Sequence, residues 1–264
     1  MENNQAYLLA IELYESENYE EAIIQFKKAI KQEPKRARIK SNLAMAYLRL
    51  NDLESAKHYA SKGVDFDFDD SYTHIVLADI LYEMNQFEDA LASINNAEEN
   101  IDKFPKDKRS LLESKLMILT ELDYFHDAYH VALLILDIAP DDSFTLFYMV
   151  KALSNLHRIG EAREIVIKHK ENLNPLVDWN QMEKSFNTLI ESFELIIQEK
   201  KSELTGKEDD WENWLIIGEN YFYCGELNLA ITAFQKAEKL NPEEANNHYT
   251  KKYYFDSILA LNRK

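Results

Sequence analysis

With 264 residues, of which 46% are hydrophobic, the chain has material for a sizeable core, and its 5 Gly and 5 Pro leave little for sheet corners, so long helices are favoured. Lys and Arg number 30 against 47 Asp and Glu, and the formal charge of −17 repels a phosphate backbone, which argues against nucleic acid or an anionic membrane as partner. Cys224 is the only cysteine, so no internal disulfide forms; residues 1–10 lack the basic start and apolar run of a secretory signal, and no stretch nears the ~18 apolar residues of a membrane span, so a cytoplasmic location is expected.

Along the chain one phrase recurs: a turn, an aromatic or aliphatic residue, acidic residues, then Ala. It stands at Asn18-Tyr19-Glu20-Glu21-Ala22, at Asn51-Asp52-Leu53-Glu54-Ser55-Ala56 and at Asn85-Gln86-Phe87-Glu88-Asp89-Ala90, with Ala22, Ala56 and Ala90 evenly spaced. The phrase returns slightly more than one period on, at Tyr124-Phe125-His126-Asp127-Ala128, and the added residues fall near 104–108, a loop-like insertion ahead of an expected capping box at Ser110 and Glu113. It returns one regular period later at Arg158-Ile159-Gly160-Glu161-Ala162, and after two periods at Gly225-Glu226-Leu227-Asn228-Leu229-Ala230. Between these last two, residues 177–210 keep the period and lose the phrase. Asp178 is placed to cap a helix running to Ser202, on which Trp179, Met182, Phe186, Leu189, Phe193 and Ile196 form a heptad seam.

A period of about 34 with two helices per period resembles the tetratricopeptide repeat family. The last unit carries the resemblance most fully, through Trp214, Ile217, Gly218 and Tyr221 on its first helix and Ala230, Phe234, Ala237 and Pro242 on its second. The first matches through Leu9, Ala10, Ala22, Phe26, Ala29 and Pro34, the second through Leu43, Ala44, Tyr47 and Ala56, and the third through Leu77, Ala78, Ala90 and Ala97. Small residues are needed where two helix backbones cross closely; Leu116 and Val150 stand where the family prefers Gly or Ala. The resemblance implies an all-α, right-handed superhelical solenoid forming one domain over 1–264. Its repeats are expected at about 3–36, 37–70, 71–104, 109–142, 143–176 and 211–244, with the divergent segment 177–210 and a capping helix 245–262 carrying Tyr249, Tyr253 and Tyr254.

The resemblance also implies that the first helices line a concave, solvent-facing groove. The expected groove residues are Tyr7, Ile11 and Tyr14; Met45 and Leu48; Ile75, Asp79 and Tyr82; Glu113 and Met117; Phe147 and Lys151; and Leu215, Glu219 and Phe222. A stripe so rich in aromatic and aliphatic residues, interspersed with acids, suits a protein or peptide partner with apolar and basic anchors. The expected role is a non-enzymatic interaction scaffold or adaptor; the alternative is a structural subunit that self-associates through the divergent helix 178–202. Some family members grip a partner's terminal carboxylate with Lys, Asn and Arg from three consecutive first helices. Here only Asn42 fits, with Tyr7, Ile11, Tyr72 and Val76 in the other places, so Asn42 is read as a structural amide.

Motifs for chemistry are weak, and no cofactor is expected. His126 and His130 lie one turn apart without the Glu of a zinc protease or an obvious third ligand. The acidic run at 65–70 resembles the start of a calcium loop, but Asp70 replaces the turn Gly and Val76 the closing Glu, so it reads as a helix end and linker. No phosphate-binding Gly-rich loop, serine elbow or catalytic carboxylate pair is found, and Cys224 reads as incidental.

Overall fold

The turn inside each helix pair shows how the repeat is built. Glu17, Asn51, Asn85, Asp123, His157 and Gly225 all have positive φ, between 57° and 83°, at the spacing of the alanine phrase. At each of them two bonds close the preceding helix. The amide of the left-handed residue donates to the carbonyl three positions back and the next amide to that five back, as in Glu17 to Tyr14 (3.0 Å) and Asn18 to Leu13 (2.9 Å), or Gly225 to Phe222 (3.0 Å) and Glu226 to Tyr221 (2.9 Å). This is the Schellman arrangement; Gly and Asn adopt it at low cost, and the other side chains are held there by the packing of the two helices.

The computed structural model describes residues 4–169 and 178–245 together with Phe255 and Ile258. Among the described residues there are helices and no strands. The chain divides into two compact units, residues 1–138 and 139–264. In the first, α1 (Gln5–Glu15) pairs with α2 (Tyr19–Gln32), α3 (Ala37–Arg49) with α4 (Leu53–Phe66), α5 (Ser71–Glu83) with α6 (Phe87–Glu99), and α7 (Lys108–Glu121) with α8 (Phe125–Leu136). In the second, α9 (Ser143–Asn155) pairs with α10 (Ile159–His169), the long α11 (Trp179–Glu203) packs between α10 and α12 (Trp211–Cys224), and α12 pairs with α13 (Leu227–Leu240), which leads into α14 (Pro242–Ala245). The expected capping helix 245–262, with its tyrosines, lies almost entirely outside the described residues.

The repeated Ala22, Ala56, Ala90, Ala128, Ala162 and Ala230 are all fully buried. The first-helix small positions, Ala10, Ala44 and Ala78, are buried as well, and each has a buried counterpart at the same register on its second helix: Phe26, Ala60 and Ile94. In two pairs these positions exchange bulk. Gly218 admits Phe234, whose ring would lie 2.6 Å from a Cβ at 218, whereas Leu116 has the small Ala132 as its counterpart in the same register.

Two local expectations change. The insertion at 101–107 folds as two 3-10 turns, Ile101–Lys103 and Pro105–Asp107, and the second runs without a break into α7, so Ser110 lies inside the helix and is not its cap. Glu113 instead accepts from Arg109 at 2.7 Å. In α11, Asp178 caps as expected by accepting from the Gln181 amide at 2.9 Å, but the buried residues are Trp179, Phe186 and Ile197, while Leu189 and Ile196 are exposed. The core-facing stripe keeps the heptad from Trp179 to Phe186 and has left it by Ile197, because the turn of a straight α-helix does not divide a heptad evenly and drifts away from it.

Candidate functional site

In the first unit α1, α3, α5 and α7 present one series of side chains. Ile11, Met45, Asp79 and Met117 recur at the repeat spacing, and all are half-buried. Between the first three of these helices lies a hollow of about 260 Å³, lined by Ile11, Tyr14, Glu15, Phe26, Asn42, Met45 and Tyr72. Phe26 is fully buried and Glu15 is exposed, so the hollow runs from the surface down to the core.

One wall is a hydrogen-bonded chain across three helices. The Asn42 amide donates to Tyr7 Oη at 3.0 Å, and Tyr72 Oη donates to Asn42 Oδ1 at 2.6 Å. Burial holds the Tyr72 hydroxyl well above the ordinary phenol range, so it stays a neutral donor. Asn42 is thus a bracing amide, in keeping with its reading from sequence. The bases nearby are engaged. Arg38 is clasped by Asp70 through two bonds of 2.7 Å and by Asp107 at 2.9 Å, Arg36 sits 4.5 Å over the Tyr7 ring, and Arg49 Nε donates to Tyr14 Oη at 3.2 Å.

Farther along the same face, Asp79 accepts from Ser114 Oγ at 2.6 Å, tying α5 to α7. Burial, joined by the negative charges of Glu83 and Glu113, pushes its carboxyl up to about 6 against the opposing hydrogen bond from Ser114. Tyr82 packs its ring edge-on against Phe87 at 5.4 Å, and Leu48 lies half-buried at the end of α3. Ile75 is 2% exposed and cannot be a surface contact, because its side of α5 is covered within the unit.

In the second unit, Phe147 turns edge-on to Trp179 of α11 with centroids 6.1 Å apart, while Lys151, Leu215 and Glu219 are half-buried. Burial raises the Glu219 carboxyl. Phe222, expected in the groove, is 1% exposed; it packs with Leu227, Ala230 and Phe234 of α13 and belongs to the core. Sequence reasoning omitted Glu15, Phe26 and Tyr72 from the site. Tyr72 was discernible as a large aromatic one turn from the stripe, but its reach across to Asn42 depends on the stagger between neighbouring helices.

Of the other motifs, Asp70 caps α5 by accepting from the Tyr72 amide at 3.1 Å, and the acidic run is a helix end and linker. No group of three or more His, Cys, Asp or Glu able to hold a metal occurs among the described residues, and no helix among them is long and apolar enough to cross a membrane. Burial, then Glu194 and Glu226, push the Cys224 thiol up to about 11, leaving it protonated near neutral pH.

Tetratricopeptide repeat profiles match residues 13–74 and 212–244. Among curated proteins none matches in sequence. The fold is similar to that of PilF of Pseudomonas aeruginosa (12% identity, 95% of this chain and 96% of that one, TM-score 0.58) and of PilW, a type IV pilus biogenesis factor (13%, 94% and 96%, 0.59). YrrB, a tetratricopeptide repeat protein with an unusual peptide-binding site, is similar at 15% identity over 90% of this chain and 97% of that one, with a TM-score of 0.51. At these identities the likeness establishes the fold.

Proposed function

We propose that this chain, a member of the tetratricopeptide repeat family, is a non-catalytic scaffold that binds a segment of a partner protein on the first-helix face of residues 1–138. The observation that carries the reading is the hollow among Ile11, Tyr14, Met45 and Tyr72, an apolar recess with polar edges. A peptide or helix lying across α1, α3, α5 and α7 meets Ile11, Met45 and Met117 as apolar anchors and Asp79, Glu83 and Glu113 as acids. The net charge of −17 steers basic segments toward it and makes association sensitive to salt. YrrB, of similar fold, has a peptide-binding site, which supports peptide binding as the kind of role assigned to this chain.

Affinity capture from the source cell's lysate, comparing the wild type with a Met45→Ala, Tyr82→Ala double variant of unchanged circular dichroism, tests the reading. A partner enriched by the wild type and lost by the variant is expected; an identical set for both removes this face as the site. The second reading, self-association through 178–202, has one observation in its favour: Leu195 of α11 is 65% exposed, with Leu189 and Ile196 exposed beside it. A mass that stays monomeric as concentration rises removes it.

A further inference from the structure

We propose that the α7–α8 pair is a proton-gated flap: it stays closed on α5–α6 while Asp79 carries a proton and opens more readily once Asp79 is ionised, taking Glu113 and Met117 of α7 away from the first-helix face. The bearing on partner binding rests on the groove reading above; the opening itself does not.

Position singles out this pair. Within residues 1–138 the α3–α4 pair has packed neighbours on both sides, α1–α2 and α5–α6, whereas α7–α8 comes last in the series and packs against α5 and α6. In a linear array of pairs, one with a neighbour on a single side costs least to open. The chain leading into it is anchored: the 3-10 turns at 101–107 join α6 to α7, and Asp107 is held by Arg38 of α3 at 2.9 Å, so the pair can part from α5–α6 while its base stays pinned.

The junction that would part contains the titrating group. Ser114 of α7 is buried, and its hydroxyl donates to the half-buried Asp79 of α5 at 2.6 Å. Around that carboxyl stand Glu83 of α5 and Glu113 of α7, with Arg49 of α3 as the opposing cation. Arg49 Nε is turned to Tyr14 Oη of α1, Glu113 also accepts from Arg109 of its own helix at 2.7 Å, and the Tyr72 phenol on α5 stays neutral. Burial and two like charges disfavour the ionised carboxyl, which accordingly titrates at about 6. Parting α7 from α5 rehydrates Asp79 and separates it from Glu113, so the cost of ionisation is relieved at this junction without unfolding the whole unit. Lys115 also bridges to Glu98 of α6 at 2.6 Å, but Glu98 is exposed and such a pair adds little.

Native-state hydrogen exchange of the full chain at about pH 5 and about pH 7.5, with each amide's rate divided by its intrinsic rate, provides the test. The α7–α8 amides are expected to be less protected than those of α3–α4 at both pH values. Their protection should fall about tenfold from the lower pH to the higher, the factor that follows from a carboxyl moved from 3.8 to about 6, and this fall should disappear in Asp79→Asn. Protection of α7–α8 equal to that of α3–α4, which would mean that the pair opens only with the whole unit, overturns the proposal. So does protection that is the same at both pH values, or a fall that persists in Asp79→Asn. Such results leave the groove reading standing, since that reading fails on a separate outcome: partner capture unaltered by Met45→Ala, Tyr82→Ala.

Discussion

Replacing Asp79 by Asn should stabilise the protein near neutral pH, and the gain should shrink as the solution is acidified. The carboxyl titrates at about 6 in the folded chain and at the ordinary 3.8 when exposed, so between these values the folded state holds a proton that the unfolded state has released. Stability therefore rises as pH falls through 6 toward 3.8, and above 6 the folded protein bears the cost of a poorly hydrated carboxylate facing Glu83 and Glu113, with Arg49 as partial relief. That cost is about 3 kcal/mol for this displacement, and about 1.4 kcal/mol of it is recovered on going from about pH 7.5 to about pH 5. Asn keeps a carbonyl oxygen for the Ser114 hydroxyl, so α5 and α7 remain tied. Urea unfolding of both proteins at the two pH values provides the assay, with the variant expected to be more stable by about 1–3 kcal/mol at the higher pH and by about 1.4 kcal/mol less than that at the lower. A difference between the proteins that is the same at both pH values refutes the burial argument.

Two further outcomes follow from the packing. Glu17→Gly, at a left-handed position with φ 61°, should raise stability by about 1 kcal/mol in chemical denaturation, because glycine adopts this conformation without the Cβ penalty. Gly218→Ala should lower it by about 1–3 kcal/mol, since the new methyl meets the Phe234 ring at 2.6 Å; the additional Phe234→Leu change should restore part of the loss.

What was legible in the sequence was set by backbones that approach closely. Ala22, Ala56 and Ala90 could be read as repeat marks because a helix pair tolerates only a small residue there, whatever surrounds it. The cap at Asp178 was legible for a similar reason, being a local hydrogen bond to the amide of Gln181. Ser110 misled because the box pattern says nothing of the 3-10 turn that Pro105 opens just before it. The heptad on α11 misled at Leu189 and Ile196, since the heptad repeat and the natural turn of the helix drift apart along its length. The site was legible as a stripe and not as a recess. Ile11, Met45 and Asp79 follow from the period, but the bridge from Tyr7 through Asn42 to Tyr72 joins positions 35 and 30 apart, off the repeat spacing, and depends on how far each helix slides along the next.

The exchange of bulk between the two helices of a pair makes the pair, and not the helix, the part that can be moved. A second helix bearing Phe234 set against the first helix that carries Leu116 would collide, while one bearing Ala132 set against Gly218 would leave a void. Where bulk is exchanged in this way the pair carries its own fit, so duplication, deletion or grafting keeps a sound interior when the cut falls between pairs and spoils it when the cut falls within such a pair.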